Sequence, residues 1–185
     1  MFLEASFRVI RVGMQNPSTP AAQEEDMNIV ALWLRKDPKR WIAGGVAGLV
    51  SGLISMAVAA TLSATHGMDP TFAIRLLGLP IVGASATEYG NSTGLIAGFV
   101  FYEFLAMFWG ALYGHFVATS HFKSLLAMGL VWGTFFWIFD FNLYAQSFKS
   151  VLAAQVPPGA AFVVCVTYGL SLSVIGLFDR RTLFI

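Results

Sequence analysis

The stretch FVFYEFLAMFWG, residues 99 to 110, sets one carboxylate, Glu103, among apolar and aromatic side chains. A carboxyl group so placed could exchange a proton or a cation, or it could hydrogen-bond between helices. Few other residues could share such work. The histidines are His66, His115 and His121, and the only cysteine is Cys165. A haem of the cytochrome b type needs two axial histidines at matched depth, which these positions do not supply. His115 and His121 lack a carboxylate or thiol companion with which to hold a metal. A lone cysteine closes no intrachain disulfide and builds no thiolate cluster, so Cys165 reads as a small packing residue. HExxH, CxxC and P-loop patterns do not occur in the sequence. The expectation is a protein without catalytic residues, cofactor or bound metal.

The medium around Glu103 decides how its carboxyl behaves, and composition identifies that medium. Charged residues make up 11% of the chain and hydrophobic ones 57%, with a mean hydropathy of +0.70. A soluble domain carries about 25% charged residues. The chain therefore reads as an all-α, polytopic membrane protein. Four segments approach the roughly 20 helical residues needed to cross a hydrocarbon core: 41–63, 94–118, 122–141 and 159–178. Runs such as IAGGVAGLVSGLISMAVAA do not alternate as a barrel strand would.

Lysine and arginine stay with cytoplasmic loops. With a cytoplasmic N-terminus, Arg8, Arg11, Arg35, Lys36, Lys39, Arg40, Lys123, Arg180 and Arg181 lie inside, and only Arg75 and Lys149 outside. Both termini are thus expected on the cytoplasmic side of a bacterial inner membrane. The basic residues act as topology anchors, and no nucleic-acid partner follows from them. The organisation expected is an arm and linker over 1–40, a four-helix bundle over 41–178 and a short tail over 179–185.

In the arm, Leu3, Phe7, Ile10 and Met14 share a helical face, as in an amphipathic helix on the inner leaflet. QNPSTPAAQEED, residues 15 to 26, reads as a polar linker. On the outer side, Asp69-Pro70 reads as an N-cap followed by proline at the first helical position. It would open a short interfacial helix, TFAIRLLG. A second outer helix is expected where Tyr144, Phe148, Val151 and Leu152 share a face before Pro157-Pro158.

Small residues let helix backbones approach closely where lipid removes the hydrophobic drive. The first span offers Gly44, Gly48 and Gly52, continued by Ser51, Ser55 and Ala59. The second offers Gly110 and Gly114, and the third Gly129 and Gly133. At 100° per residue, Gly110 and Gly114 fall within about 20° of Glu103, while Gly94 lies opposite. Glu103 should accordingly face another helix. At similar depth stand Ser51, Ser55, Thr134, Thr167, Tyr168 and Ser171, so a polar site of Glu103, Thr167 and Tyr168 is expected. A lone carboxyl among hydroxyls is most cheaply held as the neutral acid, donating to one of them. Asp140, at the outer end of the third span, should cap or pair with Arg75 or Lys149.

From Gly44 to Arg180 the layout resembles small four-helix bacterial membrane proteins of unknown function. The resemblance is carried by GGVAGLVSGLISM, IRLLGLP, FWGALYG, GLVWGTFFW and TYGLSLSVIG. Such proteins carry histidines in the second and fourth helices, where this chain has Tyr102-Glu103 and Cys165, so no shared ligand follows. The resemblance implies the fold alone. Because four helices cannot readily use so many small-residue stripes among themselves, the leading expectation is a non-catalytic accessory or scaffold subunit. Its partners would be other integral membrane subunits and lipid, within a larger inner-membrane complex, plausibly respiratory. The alternative is a small oligomeric proton- or ion-coupled transporter or channel using Glu103.

Overall fold

The computed structural model describes residues 37–117, 121–140 and 156–180, and every regular element among them is helical. Helix α1 spans Pro38–Thr65. It starts three residues before the expected Trp41, because Asp37 Oδ1 accepts the Arg40 N–H at 3.3 Å and Pro38 fills the first turn. Beyond its end, Gly67 adopts φ 72°, which reverses the chain.

Two short helices follow, α2 (Phe72–Leu76) and α3 (Leu79–Val82), then a 3-10 turn over Ala84–Thr87. Helix α4 (Ser92–Phe116) opens on Asn91, whose Oδ1 accepts the Gly94 N–H at 2.9 Å. Helix α5 (Phe122–Trp137) widens into a π-type turn over residues 138–140. Helix α6 (Pro158–Ser171) tightens through Leu172–Val174 and runs on as α7 (Ile175–Arg180).

Four stretches are long and apolar enough to cross a membrane: Pro38–Thr65, Ser92–Phe116, Phe122–Asp140 and Pro158–Phe178. The arm over 1–40, apart from its last residues, the helix sought around Tyr144–Leu152, and Lys149 lie outside the described residues.

Helix α1 packs closely on α4, α5 packs closely on α6, and α1 meets α6 to join the two pairs. Both close pairs are glycine contacts. A Cβ on Gly48 would run into the Ala106 carbonyl and lie 3.0 Å from the Gly110 Cα, while one on Gly114 would lie 2.6 Å from the Arg40 oxygen. Gly44 meets Gly110 in the same way. On the other pair, Gly129 abuts Gly169, and a Cβ on Gly133 would stand 2.6 Å from the Cys165 oxygen. Gly94 and Gly98, on another face of α4, admit the backbone of Ala86 and of Ile74 and Gly78. The glycine stripes are therefore spent within the chain, contrary to the expectation that four helices would leave them to seek partners.

Between α4 and α5 the contact is made by large rings. Trp109 meets Phe136 edge-on at 4.8 Å, and Trp132 touches Tyr113 and Phe116. The Tyr113 hydroxyl donates to the Leu125 carbonyl at 2.7 Å. Bulky apolar residues such as Leu53, Phe104, Val131 and Phe162 point outward, as they would toward acyl chains.

Candidate functional site

The α1·α4 seam runs antiparallel. Gly44 stands against Gly110, Gly48 against Ala106, Gly52 against Glu103, and Ser55 against Tyr102. Glu103 is reached only because Gly52 has no side chain. Glu103 is 8% exposed, and among the described residues neither carboxyl oxygen has a hydrogen-bond partner.

The hydroxyls expected to receive its proton are engaged elsewhere or do not reach it. Ser55 donates to the Gly52 carbonyl at 2.9 Å, so the 2.6 Å contact between Ser55 and Tyr102 is a donation from the phenol. Thr134 donates to Leu130 within its own helix. Tyr168 donates to the Ala106 carbonyl at 2.7 Å, one turn from Glu103. Ser171 turns back on the carbonyls of Thr167 and Tyr168. Ser51 is fully buried and, among the described residues, its hydroxyl has no hydrogen-bond partner either. Within the expected grouping of Glu103, Thr167 and Tyr168, no hydrogen bond to Glu103 forms among the described residues. Tyr168 ties α6 to α4, Thr167 contributes its carbonyl to Ser171, and neither bonds Glu103. A hydroxyl that donates to a carbonyl still has lone pairs that could accept from the Glu103 acid, but among the described residues none lies within hydrogen-bond range of its oxygens.

Tyr102 and Ala106, flanking Glu103, lie on the wall of a cavity of about 360 Å³. It is lined by the C-terminal turns of α1, helix α2, Pro80 of α3, the middle of α4, the end of α5 and the start of α6. Phe101, Trp109, Phe136 and Trp137 give it an aromatic lining, and Asp140 stands on its wall. Glu103 faces the seam, not this space. Spacing alone could not have found the cavity, since its walls come from six elements. The paired aromatics of α4 and α5 were the available signal.

Asp140 does not pair with Arg75. Arg75 is buried in the loop fold, with its guanidinium on Asp69 and donating to the Glu88 carbonyl at 3.1 Å, beneath Tyr89. Asp69 also accepts the Thr71 N–H at 2.9 Å and the Thr71 hydroxyl. That backbone N–H, with the Thr71 hydroxyl and the Arg75 charge, holds the Asp69 carboxyl below the usual carboxylate range. Asp69 therefore closes a local turn instead of capping a helix at Pro70. Helix α2 begins after Thr71, which makes no side-chain cap.

Arg40, expected only as a topology anchor, donates from Nε to the Gly114 carbonyl at 3.1 Å and from Nη2 to Val117. It covers the C-terminal carbonyls of α4, which no intrahelical N–H can reach. His115 accepts from the Trp41 indole N–H at 3.0 Å. Among the described residues, no three His, Cys, Asp or Glu side chains converge as metal ligands would.

No family model, curated protein or solved structure matches the chain.

Proposed function

We propose that the protein is a small carrier of the bacterial inner membrane, with both termini cytoplasmic, in which Glu103 exchanges a proton or small cation. The observation that supports this most is the Glu103 carboxyl, buried in the α1·α4 seam with both oxygens unpartnered among the described residues. Leaving an ionised carboxylate so placed costs several kcal/mol. A structural hydrogen-bond role would recover part of that cost, but no acceptor for it stands among the described residues. An exchanging group needs to be loaded and unloaded, which fits a carboxyl held by no fixed partner. The neighbouring cavity, onto which Tyr102 and Ala106 open, supplies room for a transported molecule. No covalent chemistry is involved.

The accessory-subunit reading keeps second place. It draws on the wide outward surface of large apolar side chains, but its main motive, surplus small-residue stripes, is consumed by the internal contacts. Extraction in mild detergent followed by mass spectrometry separates the two. Recovery of the chain alone or as a homo-oligomer is the result expected. A stoichiometric complex with other membrane subunits would favour the accessory role.

A further inference from the structure

We infer that the cavity takes an apolar ammonium: a hydrophobic, ring-bearing body with one cationic amine head. The inference deepens the carrier reading and rests on it for the ligand's passage across the membrane. The binding itself is argued from the wall.

A volume of about 360 Å³ lies in the range of small-molecule sites, roughly 300–1,000 Å³. Among the described residues, Asp140 is the one acidic side chain on the wall, and no lysine or arginine joins it there. Among the described residues its carboxyl has no hydrogen bond or ion pair. The other polar groups have largely spent their donors within the chain. Tyr102 donates to Ser55, Tyr168 to Ala106, Trp137 to the Pro158 carbonyl at 3.3 Å, and His66 Nδ1 to the Leu62 carbonyl at 2.8 Å. What they present to an occupant is mainly lone pairs and ring faces, while Ser63, Trp109 and Cys165 are neutral. An anionic head, whether carboxylate or lipid phosphate, would meet Asp140 with no positive side chain among the described wall residues to offset it. A cationic head gains both the carboxylate and the aromatic faces of Trp109, Trp137 and Phe139.

The test is equilibrium dialysis of the full-length chain in nanodiscs of zwitterionic lipid, with empty discs subtracted. Three labelled probes share one ring system and differ in the head: 2-naphthylmethylammonium, 2-naphthylmethanol and 2-naphthoate. Saturable binding is expected, with the ammonium preferred over the alcohol by about tenfold and the carboxylate weakest. Asp140→Asn should erase the preference while retaining alcohol binding. Glu103→Gln, which leaves the wall unchanged, should keep the preference. Ala161→Phe, which fills the space from α6, should weaken all three. Equal binding of the three heads, a preference that survives Asp140→Asn, or no saturable binding would each overturn the inference. Because no flux is measured, these outcomes stand apart from whether Glu103 exchanges ions.

Discussion

The carboxyl oxygens of Glu103 lie 2.8 and 2.9 Å from the point where a Cβ would stand on Gly52. Gly52 is thus the reason an acidic side chain can enter the α1·α4 seam at all. One turn along, the missing side chain of Gly48 admits the backbone of Ala106, and two turns along Gly44 admits Gly110. The seam and the buried carboxyl are a single piece of packing.

Gly48→Ala should destabilise the bundle by about 1–3 kcal/mol, the scale of overpacking, because its Cβ would strike the backbone carbonyl of Ala106. Leu53→Ala, at a position 51% exposed, should change stability by less than about 0.5 kcal/mol. Unfolding in mixed detergent and SDS reads both. Equal losses would mean that the seam is not closely packed.

Arg40→Ala should loosen the end of α4, since it uncovers the carbonyls of Gly114 and Val117. The expected cost is about 1 kcal/mol, below that of a fully buried charged hydrogen bond because the site is partly open to solvent. Amide hydrogen exchange should quicken over residues 113–117 and stay unchanged over 94–98. Uniform acceleration along the helix would argue against a local cap.

The pH dependence of the loop over 66–91 follows from Asp69. Its folded pKa is depressed by the Thr71 N–H and hydroxyl and by Arg75, so its contribution is complete above the unfolded value of about 3.9. That contribution is lost as pH falls through the lower, folded value. Proteolytic resistance of this loop should therefore drop in acid below about pH 4. Asp69→Asn should lack that acid-dependent component and be weaker at neutral pH. A wild-type loop equally resistant across this window would contradict the assignment.

Topology is tested by single cysteines in a Cys165→Ser background. Glu88→Cys should react with an impermeant thiol reagent in intact cells, and Lys39→Cys only after the membrane is opened. The reverse pattern would invert the proposed orientation.

Fold class was legible because membrane spans are long and apolar, and their periodic glycines mark close backbone contacts. The placement of Glu103 on the face of Gly110 and Gly114 followed from helical geometry, and the structure puts it against α1. Which hydroxyl it would meet was not legible, because a serine or tyrosine chooses among carbonyls that only tertiary packing brings near. Tyr168 illustrates this, reaching Ala106, 62 residues away. Arg75 was misassigned for a related reason. Its partner Asp69 lies six residues back, within a turn that sequence had presented as a helix start. Neither Gly94 nor Gly98 was linked in sequence to the loop it receives, since no spacing rule connects a helix face to an irregular segment.

The most direct test of the central claim is proton flux in reconstituted vesicles. An internal pH-sensitive dye follows the collapse of an imposed pH gradient, with the membrane potential clamped by potassium and valinomycin. Wild-type vesicles should dissipate the gradient faster than empty ones, and Glu103→Gln should return the rate to the empty-vesicle level. The glutamine variant should unfold in detergent as the wild type does, since it keeps the size of the side chain. Glu103→Asp, with a carboxyl set one methylene back, should keep part of the flux. Flux undiminished in Glu103→Gln, or wild-type vesicles no faster than empty ones, would contradict the account.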